Sequence, residues 1–204
     1  MSETRDKIFE SAREVFIQKG FAGARMQEIA DFAGINKGLL HYYFKTKDIL
    51  FNEVVSMTVE TLAPQLQNLV TSEDRLLDKI RQFVYFYIDT LIQNPFLPSF
   101  ILHEINFRGD EFAKEIIGRY KINPIKLIWQ IELETREGYI RPVNPIQMLL
   151  NILSMCIFPF VAKPMIQQAI GMSQEDFMRL MDYRKEEVTR FIIDAIKQKD
   201  YPNS

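Results

Sequence analysis

Residues 20–50, GFAGARMQEIADFAGINKGLLHYYFKTKDIL, decide the fold of the first part of the chain. The apolar residues of 26–33 lie on one face of a short helix, and Gly34 follows them as a C-terminal stop. Asn36 is a good N-cap for a second helix that continues to Phe44. Two short helices separated by such a turn are typical of a helix-turn-helix.

The second of these helices has the layout of a DNA-recognition helix, whose first residues meet the base edges in the major groove. Leu40 and Phe44 lie one turn apart, so we expect both to face the protein core. The side chains left outward, wholly or in part, are Lys37, Leu39, His41, Tyr42 and Tyr43. Lys37 can donate to guanine or phosphate, and tyrosine hydroxyls can donate to phosphate. Lys47 lies near the N-terminus of the next helix, where free amides favour an anion.

The same segment permits a simpler interpretation, a solvated helix pair without a DNA role. Three aromatic residues in a row, as at 42–44, usually belong to a core. The total charge does not decide between these two interpretations, because 25 Lys and Arg against 27 Asp and Glu leave a net charge of only −2. The DNA-binding interpretation therefore depends on where a few basic residues lie.

The whole chain is predicted to be all-α. Its 204 residues include 8 Gly and 9 Pro, and no long run alternates apolar and polar residues. A composition of 47% hydrophobic and 25% charged residues excludes disorder as the main state. The single cysteine, Cys156, excludes an intramolecular disulfide framework and is expected to be inert packing. Because residues 1–10 also contain no secretion signal, we expect a cytoplasmic location.

Periodicity and capping residues predict about nine helices. The first covers about 3–19, and a long fourth helix is capped by Thr46. Asn123-Pro124 either kinks or splits a helix expected over 110–137. Ser173 begins a capping box for the final helix.

The uncharged stretch 142–162 raises the question of a membrane span. Three prolines and several polar residues lie inside it, so we expect no membrane association. Its apolar residues lie on all sides of the predicted helix. One side can pack against the protein's own core, and the other side needs a partner to bury it. With the final helix, 173–199, this stretch could form a patch that packs against a second copy by two-fold symmetry. The residues expected in that dimer interface are Met148, Ile152, Met155, Phe177, Leu180, Val188 and Phe191. A helix wrapped wholly by its own domain is the alternative.

Gly20-Phe21, 27–38 and 40–50 together resemble the DNA-binding domain of the tetracycline-repressor (TetR) family. The remaining chain matches the family only in length and helical layout. The resemblance implies a three-helix helix-turn-helix domain over 1–48, joined by a long helix to a ligand-binding and dimerisation bundle over 49–204. It further implies a homodimeric regulator, most often a repressor, which releases a palindromic double-stranded DNA operator when a small molecule binds.

The resemblance also implies which residues contact DNA. The set is Arg25, Asn36, Lys37, Gly38, Leu39, His41, Tyr42, Tyr43 and Lys47. Arg25 stands where the family often has a threonine that caps the second helix. The guanidinium group of Arg25 cannot cap the helix in that way, but it can bind phosphate. Leu39 replaces a common threonine and offers an apolar contact, such as one to a thymine methyl. Lys47 matches a lysine that meets phosphate.

A cavity for a small apolar or aromatic effector is expected in the larger domain. The residues expected to line it are Phe83, Phe86, Tyr87, Phe100, His103, Phe107 and Trp129. Each of them could instead be plain core. One histidine without suitably spaced partners makes a weak metal site, so we expect neither a metal nor a cofactor.

Two other classes of function are alternatives to DNA binding. An enzyme is not expected, because the sequence contains no nucleophile elbow, phosphate-binding glycine loop, metal-ligand cluster or carboxylate pair at a meaningful spacing. A helical adaptor that binds only proteins remains the alternative. In such an adaptor, Lys37 and Lys47 would have no DNA-related role.

Overall fold

The computed structural model describes residues 3–120 and 124–198, and these form eleven α-helices. In chain order the helices are α1 (Glu3–Gly23), α2 (Met26–Phe32), α3 (Lys37–Tyr43), α4 (Lys47–Thr71), α5 (Leu76–Gln93), α6 (Leu97–Arg108), α7 (Asp110–Tyr120), α8 (Ile125–Arg136), α9 (Pro145–Val161), α10 (Lys163–Ile170) and α11 (Gln174–Ile196). A single isolated β-bridge joins Ile140 and Lys197 within these ranges. The all-α prediction is confirmed.

The structure has more helices than the nine or so expected from sequence. One addition arises because α7 and α8 are separate, with Pro124 at the N-cap of α8; Asn123 lies outside the described residues. The other is α10, which begins just after α9 ends. Pro164, in the first turn of α10, suits a helix start because its missing N–H would be unpaired there in any case.

A first hydrophobic core joins α1, α2 and α3 to the beginning of α4. Phe16, Ile29 and Leu40 are fully buried in it. Phe51 from α4 and Phe96, which precedes α6, belong to the same core. The expected boundary between 48 and 49 falls in the first turn of α4, so one continuous helix belongs to both of the expected domains.

A second core fills the C-terminal bundle, where α5 packs against α4, α8, α9 and α11. Its fully buried side chains include Leu76 and Ile88 of α5 and Ile131 of α8. Within the described residues, no single helix is long and apolar enough to span a membrane. Among the described residues, α9 and α10 satisfy the length and the composition of a span only when taken together, and they are bent by 64° relative to each other.

Candidate nucleic-acid interface

The start of α3 is fixed by the side chain of Asn36. Its Oδ1 accepts a hydrogen bond from the Leu39 backbone amide at 2.7 Å, which satisfies one of the otherwise unpaired amides of the first turn. Leu40 and Phe44 are buried at 0% and 2% exposure, as predicted. These two anchors set the rotation of α3 and leave its opposite face open to solvent.

The turn before α3 depends on a left-handed backbone at Gly34, where φ is 67°. A side chain at this position would be strained, because L-residues other than Asn and Asp rarely adopt that conformation. The Ile35 amide donates to the Ala30 carbonyl at 3.0 Å and closes the end of α2. The turn therefore sets the angle between α2 and α3.

The exposed face of α3 carries the side chains expected to contact DNA. Lys37 and His41 are exposed, Leu39 is 37% exposed and Tyr42 is 80% exposed. Tyr43 is half-buried, and its ring packs edge-on to that of Tyr42 with centroids 5.6 Å apart. An unpaired apolar and aromatic face of this kind, next to a lysine, suits contact with base edges and the sugar-phosphate backbone.

His41 has a contact that the sequence did not indicate. Its Nδ1 lies 3.3 Å from the Lys45 carbonyl oxygen, so the Nδ1–H tautomer can donate to it. In that tautomer Nε2 is left as an acceptor on the exposed side of the ring. His41 can therefore present either an acceptor or, when protonated, a second donor to a ligand.

Arg25 and Lys47 are placed differently from each other. Arg25 occupies the N-cap position of α2, is exposed, and makes no side-chain cap hydrogen bond. The Lys47 amine instead donates to the carbonyls of Phe21 at 2.7 Å and Ala24 at 3.1 Å, and lies 4.4 Å from the centroid of the Phe21 ring. Lys47 thus ties the end of α1 to the start of α4, and its phosphate contact stays a prediction.

Both the helix-turn-helix region and the chain as a whole are similar to known proteins. Residues 8–54 match the family described as "Bacterial regulatory proteins, tetR family". The chain is 29% identical over 183 residues to the Bacillus subtilis protein named "Probable HTH-type transcriptional regulator YttP", with 85% of this chain and 84% of that one covered. It is 22% identical to the regulator RutR of Escherichia coli over 98% of this chain and 93% of RutR. A TetR/AcrR-family regulator from Thermobifida fusca has the same fold, with a TM-score of 0.66 at 16% identity and with 99% and 100% of the two chains covered.

Residues 8–54 therefore carry the DNA-binding segment of the tetR family of bacterial regulatory proteins, and the chain resembles transcriptional regulators over most of its length.

These matches support a DNA-binding transcriptional regulator rather than an enzyme. The helix-turn-helix identified from Gly34 and Asn36 lies inside the matched range of 8–54. In the described part of the chain, no group of three or more His, Cys, Asp or Glu residues is placed to hold a metal ion.

The aromatic residues expected to line one effector cavity do not lie around a single cavity in the structure. Phe86 lines a cavity of about 500 Å³ between α1, α4 and α5. Phe100 and His103 line one of about 200 Å³ between α4 and α6. Phe107 is 77% exposed and stacks on His103 with centroids 4.4 Å apart. Tyr87 packs between the two cores, and burial raises the pKa of its hydroxyl to about 12.

Two further cavities share a wall. The first, which we call the apolar cavity, measures about 160 Å³ and is lined by Leu69, Phe83, Leu127, Leu149, Ile152 and Lys79 among others, from α4, α5, α8 and α9. The second, the polar cavity, measures about 440 Å³ and is lined by Thr71, Glu73, Arg75, Lys126, Trp129 and Lys79 among others. The expected set of aromatics therefore contributes only Phe83 to the apolar cavity, because the other rings point elsewhere.

Some of the residues expected at a dimer interface are buried within the protomer, and others are exposed. Met148, Ile152, Phe177 and Val188 are buried in the core of the protomer itself, and Met155 is half-buried. Leu180 and Phe191 are exposed, as the expectation requires. For Met148 and Ile152 the cause is that α9 is apolar on every side, so the sequence could not show which side faces inward. Phe177 and Val188 lie instead on the inward face of α11.

The structure adds residues that the sequence reasoning missed. On α9 the outward apolar side chains include Ile146, Leu150 and Phe158. Lys79 lies in the apolar stripe of α5, three residues after Leu76 and four before Phe83. A lysine at that spacing in an otherwise apolar stripe was a signal available from the sequence.

Proposed function

We propose that this regulator binds a palindromic operator as a homodimer and represses transcription until a small, largely apolar molecule enters its C-terminal bundle. The observation that carries the proposal is the exposed face of α3, from Lys37 to Tyr42, which is held outward by buried Leu40 and Phe44. A recognition helix with this presentation reads one half-site in the major groove.

The exposed apolar residues of α9 and α11 support the dimer. Phe191 of α11 is 63% exposed and shares a groove with Asn151 and Met155 of α9. Leu150 and Phe158 are further exposed apolar side chains of α9, a helix that contains no charged residue. An exposed apolar patch on two adjacent helices is typical of an interface between like subunits, which pack by two-fold symmetry.

Dimerisation has a direct consequence for affinity. Two recognition helices held about 34–36 Å apart reach successive major grooves on one face of the duplex. Once the first helix has bound, attachment of the second becomes intramolecular, which raises the overall affinity without new contacts. The operator is therefore expected to be a palindrome with half-site centres about 10 base pairs apart.

The apolar cavity supports binding of an effector. It lies between α4, α5, α8 and α9, so a bound molecule contacts the same α4 whose N-terminal turn packs beside the helix-turn-helix. An effector shifts the protein only if it binds the DNA-competent and DNA-incompetent arrangements unequally. A change in the tilt of α4 provides such a difference, and a coupling of about 1–3 kcal/mol is sufficient.

The test of DNA binding is a mobility-shift titration with the protein's own upstream DNA over a range of salt concentrations. Lys37→Ala is expected to weaken binding and to reduce the slope of log affinity against log salt by about one unit, since one phosphate contact is lost. Lys114→Ala, which removes an exposed lysine on α7, is the matched control and should leave the slope unchanged.

Two results would count against the proposal. An unchanged slope for Lys37→Ala would remove this lysine from the DNA contacts. Failure of the wild-type protein to shift any upstream fragment in dilute buffer would favour the helical adaptor instead.

A further inference from the structure

The amine of Lys79 is the starting point, because it is a cation placed among apolar side chains. Lys79 lies on α5 beside Leu76 and Ile80 and is only 3% exposed. Burial lowers the pKa of this amine, while the carboxylates of Glu73 and Asp74 act in the opposite direction. A lysine in such a place is costly unless something compensates its charge.

The protein itself compensates this charge only in part. In the described part of the chain, the amine donates one hydrogen bond, to the Val70 carbonyl at 3.2 Å in the last turn of α4. None of the ion pairs found among the described residues includes Lys79. Since an ammonium group has three donors, capacity remains for an acceptor supplied from outside.

Lys79 also occupies a boundary between two environments. Together with Val70 it lines both the apolar cavity of about 160 Å³ and the polar cavity of about 440 Å³. Every other side chain around the apolar cavity is apolar. Lys79 lines the apolar cavity with its methylene groups only, while its amine reaches the Val70 carbonyl. A molecule that spans both cavities would therefore have a hydrocarbon part on one side of Lys79 and a polar end on the other.

We propose that the effector is a chain-like monocarboxylic acid, whose alkyl tail occupies the apolar cavity and whose carboxylate pairs with Lys79. This proposal rests on the proposed function, which places the effector in the same cavity. A charge-assisted hydrogen bond from a buried ammonium to a carboxylate is about twice as strong as a neutral one. Each methylene group of the tail adds apolar burial worth about 0.8 kcal/mol.

The charge pattern of the polar cavity selects a single negative charge. Arg75 and Lys126 are outnumbered there by the four carboxylates of Glu73, Asp74, Glu134 and Glu137. Each further negative charge on a head group would add repulsion from those carboxylates, so a head group with one charge, placed at the buried amine, is favoured over one with several. An alkyl amine would place a second cation beside Lys79, and an alcohol would leave its charge uncompensated.

Binding of a carboxylate has a route to the DNA-binding region. The acceptor that Lys79 uses in the free protein belongs to the end of α4, and an incoming carboxylate competes with it for the amine. The effector therefore acts on the same helix that begins next to the recognition helix. Its effect on α4 is the link between ligand binding and operator release.

The experiment measures binding of decanoate, decanol and decylamine to the full-length protein by titration calorimetry, at concentrations below those at which they form micelles. Decanoate is expected to bind at least tenfold more tightly than decanol, and decylamine more weakly than either. Lys79→Met should weaken decanoate binding at least tenfold and leave decanol binding unchanged, whereas Lys79→Arg should retain most of the preference for decanoate.

Two variants make the result interpretable. Lys163→Met removes another lysine whose pKa is lowered by burial but which lines neither cavity, and it should bind decanoate as the wild type does. Leu149→Trp fills the apolar cavity and should abolish decanoate binding, which keeps the test valid if Lys79→Met does not fold. Equal binding of decanoate and decanol, no binding of decanoate, or unchanged binding by Leu149→Trp would each overturn the inference.

A mobility-shift titration on the same samples separates this inference from the proposed function. Operator binding that is intact but unaffected by every ligand would leave the DNA-binding part standing and overturn the carboxylate effector. Decanoate binding with the expected Lys79 dependence, in a protein that shifts no DNA, would support the ligand site and overturn the proposed function.

Discussion

Cys156 shows at the scale of a single residue how burial sets chemical behaviour. Its side chain is fully buried on α9, and burial raises the pKa of the thiol to about 12, while the Arg184 guanidinium acts weakly in the opposite direction. The thiolate is the reactive form of cysteine. The inert character expected for Cys156 from its apolar sequence neighbours thus has a structural cause.

The corresponding prediction concerns thiol labelling. At pH 8 the native protein should react with an aromatic disulfide reagent at least a hundredfold more slowly than the protein in denaturant, because the thiolate is almost absent and the side chain is buried. Absorbance of the released thiolate measures both rates, and comparable rates would contradict the prediction. The raised pKa also means that the thiol stabilises the fold fully below about pH 8.5 and loses this contribution as the pH rises towards 12.

Helix caps, at the scale of elements, were the most predictable feature of the sequence. Asn36, Thr46 and Ser173 all cap the helices expected of them, since a cap depends on a few adjacent residues. The packing side of α9 was not predictable, because each of its sides is apolar and only its neighbours select one. The residues expected around the effector lie at different cavities in the structure. The rotation of each helix decides where an aromatic ring points, and the sequence does not show that rotation.

The cap of α3 provides a prediction at this scale. Asn36→Ala should lower the free energy of unfolding by about 1 kcal/mol, or the melting temperature by about 2–4 °C, because the Leu39 amide loses its acceptor. Calorimetric or circular-dichroism melting measures the change. Asn36→Asp is the matched control, since its carboxylate can still accept from that amide while placing a negative charge beside DNA phosphates. It should melt close to the wild type yet bind operator more weakly, and an unchanged melting temperature in Asn36→Ala would contradict the role of the cap.

The arrangement of the whole molecule depends on surfaces that only the folded chain reveals. The sequence indicated that α9 and α11 could form an apolar patch. In the fold, Phe191 of α11 and Leu150 and Phe158 of α9 are exposed to solvent. The fold also buries Met148 and Ile152, which belong to the core of the protomer. The family was predictable because its DNA-binding segment is short and contiguous, whereas a subunit interface is assembled from residues far apart in the chain.

Substitution in this patch tests the oligomeric state. Phe191→Glu should convert a dimer into a monomer of 24.1 kDa and lower operator affinity at least tenfold, because a charge is placed in an apolar interface. Light scattering coupled to size-exclusion chromatography measures the mass. Phe107→Glu changes another highly exposed phenylalanine, on α6, and should leave the mass of the dimer unchanged. A wild-type protein that is monomeric at micromolar concentration would refute the interface.

The hydrogen bonds of Lys47 to the end of α1 have a consequence for how an operator is lost. Because these bonds connect α4 to the carbonyls of Phe21 and Ala24, the proposed tilt of α4 would move the helix-turn-helix domain with it as one rigid unit. In the proposed dimer, the fit of each DNA-binding domain to its own bases would then be preserved while the distance between the two domains changes. Release would therefore be governed by the length of the spacer between half-sites, and an operator with an altered spacer should respond differently to the same effector even when every contacted base is kept.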